Sequence, residues 1–229
     1  PMCCIFNTSI QQGRVPSLWK HANVVPIPKV KPVCSIENDL RPISLTPTLS
    51  KLLESCIGQW MLEAIADKFD MKQFGGLRGR STTHALVDIL HQWYAALDAG
   101  ESVRVVFVDY AKAFDHVDHS TVLRKMIDMG VPAFIVQWMF SFLSGRKQCV
   151  KIDKYFSGWL TLNGSMPQGT WLGLYIFLIL INDLTATIQL DKFVDDVTLT
   201  ERLIPDEPSN MQQELSRLQA WSNTNLMNV

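Results

Sequence analysis

The sequence predicts an α+β chain, and three observations carry that prediction. The first is a pair of short β-type runs, Phe193-Val194 and Val197 to Leu199, which meet at a bare Asp195-Asp196 pair. Asp is at home in tight turns, so the local reading is a hairpin with both carboxylates at its tip. The second is the apolar run Val105-Val106-Phe107-Val108, which reads as a buried strand closed by Asp109. The third is a set of longer segments whose apolar residues recur at helical spacing.

The helical segments come in order. Pro47 to Phe69 carries a stripe of Leu49, Leu52, Leu53, Cys56, Ile57, Trp60 and Ala64. From Ser81, a fitting N-cap, to Gly100, Leu86, Ile89, Leu90, Trp93 and Leu97 mark a second buried face. Ala113 onward turns helical through Leu123, Met126 and Ile127 and stops at Gly130; Pro132 opens another apolar helix that ends near Ser144-Gly145. Trp171 to Ile181 reads as a core helix, too short for the ~20 residues that span a bilayer. Ser209 caps a last helix with Met211, Leu215, Leu218 and Trp221 on one face.

The remaining segments read as extended chain or loop. Val24-Val25-Pro26-Ile27-Pro28-Lys29 contains two prolines, which suggests an edge strand. Lys31 to Asp39 is a polar loop, and Arg41-Pro42-Ile43-Ser44-Leu45 is extended because a residue before proline avoids the α region. Cys149 to Leu162 alternates weakly and suggests a strand pair, and Asn163 to Thr170 is a loop.

Composition narrows the class. A chain of 229 residues with 47% hydrophobic content buries a sizeable core, as one domain or two tightly packed subdomains. Net charge is −1, so no global nucleic-acid signature exists, although residues 1–51 hold six Lys/Arg against two acids. Chance also produces an imbalance of that size. Five cysteines without C-x-x-C spacing read as reduced thiols of an intracellular protein.

Chemistry concentrates at the carboxylates. Adjacent anions at a hairpin tip repel, and a divalent cation would remove the repulsion. Mg²⁺ suits the position, since it takes one or two protein carboxylates and fills its other sites with water and phosphate oxygens. An ordinary polar turn is the competing reading of the Asp pair alone; Asp109 at the end of a strand favours the metal. A rival cluster, Asp115-His116-Val117-Asp118-His119, has ligand types for a transition metal and a hydrolase, against the plainer reading of polar residues at a strand–helix junction. The glycine-rich segment Gly75 to Arg80 lacks the G-x-x-x-x-G-K-[ST] pattern of a phosphate loop.

Val108-Asp109-Tyr110-Ala111-Lys112-Ala113-Phe114-Asp115, followed by Phe193-Val194-Asp195-Asp196, resembles motifs A and C of reverse transcriptases, most closely those of non-LTR (LINE-type) retrotransposons. Gln73-Phe74-Gly75-Gly76-Leu77-Arg78-Gly79-Arg80-Ser81-Thr82 resembles the family's Gln-Phe-Gly-Phe-Arg-x-Gly-Arg-Ser-Thr element, with Gly76 and Leu77 in place of the usual aromatic and arginine. Asn163 to Thr170 matches motif B with Gln168-Gly169 intact, although Trp171 and Leu174 stand where a smaller residue and a proline are usual. Asn225 to Val229 resembles the start of motif D. The resemblance runs from about Pro16 to Val229 in the expected order.

The resemblance implies a right-hand polymerase fold without its thumb. Fingers would come mainly from residues 1–100 and 119–160, and palm mainly from 101–118 and 161–229. The chain would then be a piece of a longer reading frame. The implied activity is RNA-directed DNA polymerisation with two Mg²⁺ ions, Mn²⁺ substituting, on an RNA template, a DNA primer and dNTPs. No membrane is involved, the setting is nucleus and cytoplasm, and oligomeric state is left open. Asp109, Asp195 and Asp196 would be catalytic metal ligands, with the Tyr110 carbonyl completing a site. Lys29 and Arg41 would lie over the incoming triphosphate, and Gln168 and Gly169 around sugar and base. Phe114 would sit under the sugar, unless it is simply a core aromatic, and Arg80 would contact nucleic acid. A catalytically decayed, nucleic-acid-binding remnant of such an element is the alternative.

Overall fold

The computed structural model describes residues 1–162 and 164–228. Asn163 of the motif B loop and Val229 of the motif D start lie outside the described residues. In chain order the elements are α1 (Met2–Gln11), β1 (His21–Pro28), α2 (Ile36–Asp39), β2 (Leu40–Leu45), α3 (Thr48–Ile65), α4 (Thr82–Asp98), β3 (Ser102–Val108), α5 (His119–Asp128), α6 (Ala133–Leu143), β4 (Lys147–Ile152), β5 (Tyr155–Phe156), β6 (Leu160–Thr161), α7 (Trp171–Ile181), β7 (Gln189–Phe193), β8 (Asp196–Leu203) and α8 (Met211–Thr224). The chain is α+β, as the sequence predicts. It divides into two compact units, one of Pro1–Ala66 and Asp118–Tyr175, the other of Asp67–Val117 and Ile176–Val229.

The first unit is built on a sheet of order β2-β1-β4-β5, with β6 also on β4. β1 is therefore not the edge strand expected from its prolines. It pairs antiparallel with β2 over Asn23 to Pro28 and parallel with β4 over His21 to Val24. Pro26 and Pro28 lie past the last β4 pair, where no neighbour asks for the N–H that proline lacks. The weakly alternating segment after residue 147 forms three strands, not two, because β5 and β6 each pair back onto β4. The expected polar loop holds one turn of helix, α2, capped by the Ser35 hydroxyl accepting from Asn38 N–H.

α3 forms where expected but buries a different stripe: Ser50, Leu53, Glu54, Ile57, Gly58, Met61 and Ile65. Leu52, Cys56 and Trp60 face outward. Two polar-looking positions account for the rotation. A Cβ on Gly58 would come within 2.0 Å of the Trp171 ring, so the glycine is the socket for that indole. Glu54 is buried because its carboxylate accepts from the Ser50 hydroxyl at 2.9 Å and from the Leu172 and Trp171 N–H groups at the start of α7. Burial pushes the Glu54 carboxyl up and the buried Arg146 guanidinium down to about 10, while their mutual attraction opposes both shifts. Arg146 lies 4.6 Å over Phe142, which stacks on Trp138, and the Trp138 indole donates to Ser9 of α1 at 3.0 Å.

The second unit is organised on a three-stranded antiparallel sheet of order β3-β8-β7. β3 is an edge strand, not the buried one its apolar run suggests, and Phe107 is 74% exposed. α4 lies against β3 and β7, and its less exposed face includes Ala85, Ile89, Gln92, Trp93 and Ala96. Leu86, Leu90 and Leu97, expected inside, point out. The two alanines let the helix approach closely, so the contact face follows the small residues and not the largest ones. Ser81 caps α4 as expected, accepting from His84 N–H at 3.3 Å. α8 has Asn210 at its N-cap in place of the expected Ser209, and the buried Glu201 carboxylate accepts from Asn210 N–H. Its buried face includes Met211 and Leu218, joined by Glu214 and Ser222. Among the described residues no helix is long and apolar enough to cross a membrane.

Candidate active site

Register brings Asp109, Asp195 and Asp196, all in the second unit, to one end of its sheet. The β3–β8 ladder finishes with Val108 opposite Val197, so Asp109, the next residue, continues toward the position opposite Asp196. The β7–β8 ladder closes with Phe193 opposite Asp196, leaving Val194-Asp195 as a two-residue connection. Only Val194 of this pair has positive φ, at 61°, the sign pattern of a II′ hairpin turn, which normally takes glycine there. A β-branched residue in the left-handed region is a strained outlier, of the kind that clusters at functional sites.

Electrostatics agrees with the register. Burial pushes the Asp195 carboxyl above the usual carboxylate range, and the charges of Asp196 and Asp109 push the same way against its own backbone N–H. Asp195 therefore feels the charge of both other aspartates. Among the described residues no three His, Cys, Asp or Glu side chains form a preformed metal cage, the aspartates included. The donor set nevertheless fits a hard cation that brings water and substrate oxygens as its remaining ligands. Its surplus negative charge is what such an ion would relieve.

The segment after Asp109 is fixed by the end of the chain. Tyr110 is buried, its hydroxyl lies 3.4 Å from Ser222 Oγ, and burial pushes the phenol up. Ala111 N–H donates to the Asn228 carbonyl at 2.9 Å. Helix does not begin at Ala113 as expected. A left-handed Lys112 leads into a single 3₁₀ turn, Ala113–Asp115, and α5 starts only at His119, capped by Asp118. Phe114 lies half-buried with its ring 4.9 Å from that of Phe177. It is neither a closed core aromatic nor a free one.

The rival Asp115–His119 cluster spends its groups locally. Asp118 accepts from Thr121 N–H at 2.8 Å and from the Ser120 hydroxyl, His119 meets the Ser165 carbonyl at 2.9 Å, and His116 meets Asn228 at 3.3 Å. Asp118 and His119 belong to the first unit and His116 to the second.

The other expected residues of the first unit gather on β2. Arg41 is exposed on that strand, and the exposed Lys29 continues the β1–β2 ladder through a 2.7 Å bond from its N–H to the Asp39 carbonyl. Ser44 N–H donates to the Gln168 carbonyl at 2.7 Å. Gly169 has φ of +104°, and a Cβ on it would lie 3.1 Å from the Ser44 carbonyl oxygen. The motif B loop is thus seated on the strand that carries Arg41. Trp171, the unusual residue after it, turns its ring into the Gly58 socket and lies 4.6 Å from Tyr175.

Arg80 is in the second unit, and one guanidinium nitrogen donates to the carbonyls of Asp70 and Gln73. Two residues given no role by sequence reasoning also stand here. Gln73 is buried beside the turn, its Oε1 accepting from Val194 N–H at 2.9 Å. Lys192, one residue before Phe193, is buried and pairs with Asp70 at 2.7 Å while donating to the carbonyls that end α7. No periodicity signals either, since both partners are distant in sequence. A lysine inside a strand next to the Asp pair is the one available hint.

Comparison with known proteins matches the geometry. The family model described as "Reverse transcriptase (RNA-dependent DNA polymerase)" matches residues 27–229. The chain is 26% identical to the RNA-directed DNA polymerase from mobile element jockey of Drosophila melanogaster, over 96% of this chain and 26% of that protein. It is 27% identical to the probable RNA-directed DNA polymerase from transposon X-element of the same organism, over 95% of this chain and 25% of the relative. The chain thus spans about a quarter of the length of these curated relatives. In fold it is similar to apo telomerase from Candida tropicalis, with a TM-score of 0.68 at 11% identity over 99% of this chain and 47% of that one. An ordered motif set, three aspartates at one sheet end and a family match over most of the chain give one conclusion: the chain belongs to the reverse transcriptase (RNA-dependent DNA polymerase) family, with distant homology to the enzymes of non-LTR retrotransposons.

Proposed function

We propose that this chain is the catalytic part of an RNA-directed DNA polymerase, joining a deoxynucleoside triphosphate to a primer 3′-hydroxyl on an RNA template. The observation that supports it most is the meeting of Asp109, Asp195 and Asp196 at one sheet end, with the Asp195 carboxyl raised by burial first and then by the charges of its two neighbours. When bound at these carboxylates, Mg²⁺ would supply charge neutralisation for the attacking oxygen and the leaving pyrophosphate. Asp109 and Asp195 are the expected shared ligands, Asp196 supports them, and the Tyr110 carbonyl is within the same strand end.

The other residues bind and orient. Lys29 and Arg41, exposed on the β1–β2 ladder, supply positive charge for a triphosphate. Gln168 and Gly169 shape the surroundings of sugar and base, the glycine letting the backbone come close. Phe114 offers a ring edge against a 2′-hydroxyl, the group that separates ribo- from deoxynucleotides. Arg80 keeps its loop in shape and presents the rest of its guanidinium to nucleic acid. Fingers would be drawn mostly from the first unit and the carboxylate-bearing palm from the second.

Primer extension on an RNA template with Mg²⁺ or Mn²⁺ tests the reading, with the longer protein that contains this chain run beside the chain itself. Extension should need template, divalent ion and dNTP, and Asp109→Asn or Asp195→Asn should abolish it. Extension that survives either substitution refutes the assignment, and a longer protein without activity favours the decayed-remnant alternative.

A further inference from the structure

The turn that carries Asp195 is held from outside its own hairpin. Gln73 is 2% exposed, and its Oε1 accepts from two backbone N–H groups, Gly75 and Val194, each at 2.9 Å. Its Nε2 faces the Val194 carbonyl at 3.5 Å. One side-chain amide therefore meets both polar groups of a single residue, which needs an acceptor and a donor at the same tip. That residue is the one in the turn with the least favourable backbone, a valine at φ 61°.

The contact is built, not incidental. Main-chain bonds flank it on both sides, from Phe74 N–H to the Lys192 carbonyl at 2.8 Å and from Lys192 N–H to the Lys72 carbonyl at 2.9 Å. Gly75 comes so close that a Cβ would lie 2.7 Å from Val194 N. Arg80 then holds the Gln73 carbonyl at 2.6 Å, so the clamp itself is braced.

We propose that Gln73 is a positioning residue for the carboxylate turn: by gripping Val194 it keeps the left-handed conformation that presents Asp195 beside Asp109 and Asp196. This rests on the reading of those three aspartates as metal ligands. Groups that orient ligands from behind commonly change metal affinity about 10–100-fold when removed, with the ligands themselves untouched. Gln73 should therefore matter more to metal binding than to folding.

Mn²⁺ is the probe, its free fraction followed by electron paramagnetic resonance on the metal-free chain. Gln73→Met keeps length and removes the hydrogen bonds, Gln73→Glu keeps the accepting oxygen, and Trp93→Phe removes an indole bond to Thr200 elsewhere in the unit. Gln73→Met should weaken Mn²⁺ binding at least about tenfold, while Gln73→Glu and Trp93→Phe stay within about threefold of the parent. Unchanged affinity in Gln73→Met overturns the proposal, as does an equal loss in Trp93→Phe. A parent chain that binds no Mn²⁺ removes the metal reading and this inference together; binding with an indifferent Gln73→Met removes the inference alone. Amide exchange on the unaltered chain gives an arm independent of folding of the variant. The Val194 N–H should exchange at least about tenfold slower than an open chain, and exchange at the open-chain rate overturns the clamp.

Discussion

Gly75→Ala probes the seat of the carboxylate turn with a single methyl group. The added Cβ would lie 2.7 Å from Val194 Cγ2, 2.7 Å from Val194 N and 3.0 Å from the Phe193 carbonyl carbon. Ordinary contact begins near 3.4 Å, so the turn or the loop must yield by about 0.7 Å. Two of the three atoms are backbone, which no rotamer change can move. Gly75 lies outside the left-handed region, so alanine there carries no φ penalty, and by restricting the unfolded chain it gains about 0.4–1 kcal/mol. Against that gain stands overpacking, which costs about 1–3 kcal/mol. A net loss between about 0 and 2.6 kcal/mol follows, with a midpoint of about 1.3 kcal/mol, or roughly 3–5 °C in Tm for a chain of this size.

The displacement has a direction as well as a size. Pushing Val194 away lengthens its 2.9 Å bond to Gln73, so Mn²⁺ affinity should fall together with stability. Gly158→Ala is the control, since a Cβ there meets nothing within 4 Å and its φ is ordinary. Circular dichroism melts and Mn²⁺ titrations of the three proteins decide the matter. A Gly75→Ala chain that melts with Gly158→Ala and binds Mn²⁺ like the parent would show that the approach of loop and turn is not as close as described.

Three further outcomes are expected. The Asp191 carboxyl is buried and raised to about 6, by burial first and by the neighbouring Asp88, against help from Gln189 and Lys72. Unfolded it titrates near 3.8, so the unfolded chain gives up its proton first and stability falls as pH rises from about 4 to 6; the full gap is about 3 kcal/mol, and urea melts of Asp191→Asn should lack that slope. Gly58→Ala should be strongly destabilising because its Cβ meets the Trp171 ring at 2.0 Å, and adding Trp171→Leu should recover part of the loss, a non-additivity read from a double-mutant cycle of melting curves. Phe114→Ala should cost less than the ~3–5 kcal/mol of a fully enclosed phenylalanine, since the ring is half-exposed on Phe177, and single-nucleotide incorporation should show more ribonucleotide use with deoxynucleotide use little changed.

The parts legible in the sequence were those with local causes. The carboxylate hairpin follows from its own residues, although its turn is Val194-Asp195, one residue earlier than the expected Asp pair, with Asp196 opening β8; Ser81 caps α4 through a bond three residues away, and Gly130 ends α5 with φ of 75°. Helical period likewise located α3, and apolar segments located α6 and α7. Which face of a helix is buried was less legible, because that depends on the partner. α3 turned toward Gly58 and Glu54 since an indole 113 positions later needs the gap and α7 needs the carboxylate. β1 was misjudged as an edge because its second neighbour, β4, begins 126 residues after His21.

The least legible residues share a physical character. Gln73, Asp191, Lys192 and Glu201 are all polar and all buried, and periodicity assigns such residues to solvent. Each is buried where it satisfies a group that apolar packing would leave stranded: the strained Val194 backbone, the Gln189 amide, the carbonyls at the end of α7, and the Asn210 N–H and Ser209 hydroxyl before α8. Three of the four lie in the β7–β8 hairpin, and the fourth grips its tip. An apolar core is indifferent to small rotations, whereas a hydrogen bond tolerates few of them. A hairpin that carries two carboxylates beside a third at the end of β3 gains from the second kind of restraint, and its cost in buried polarity is met in the strands beside the aspartates.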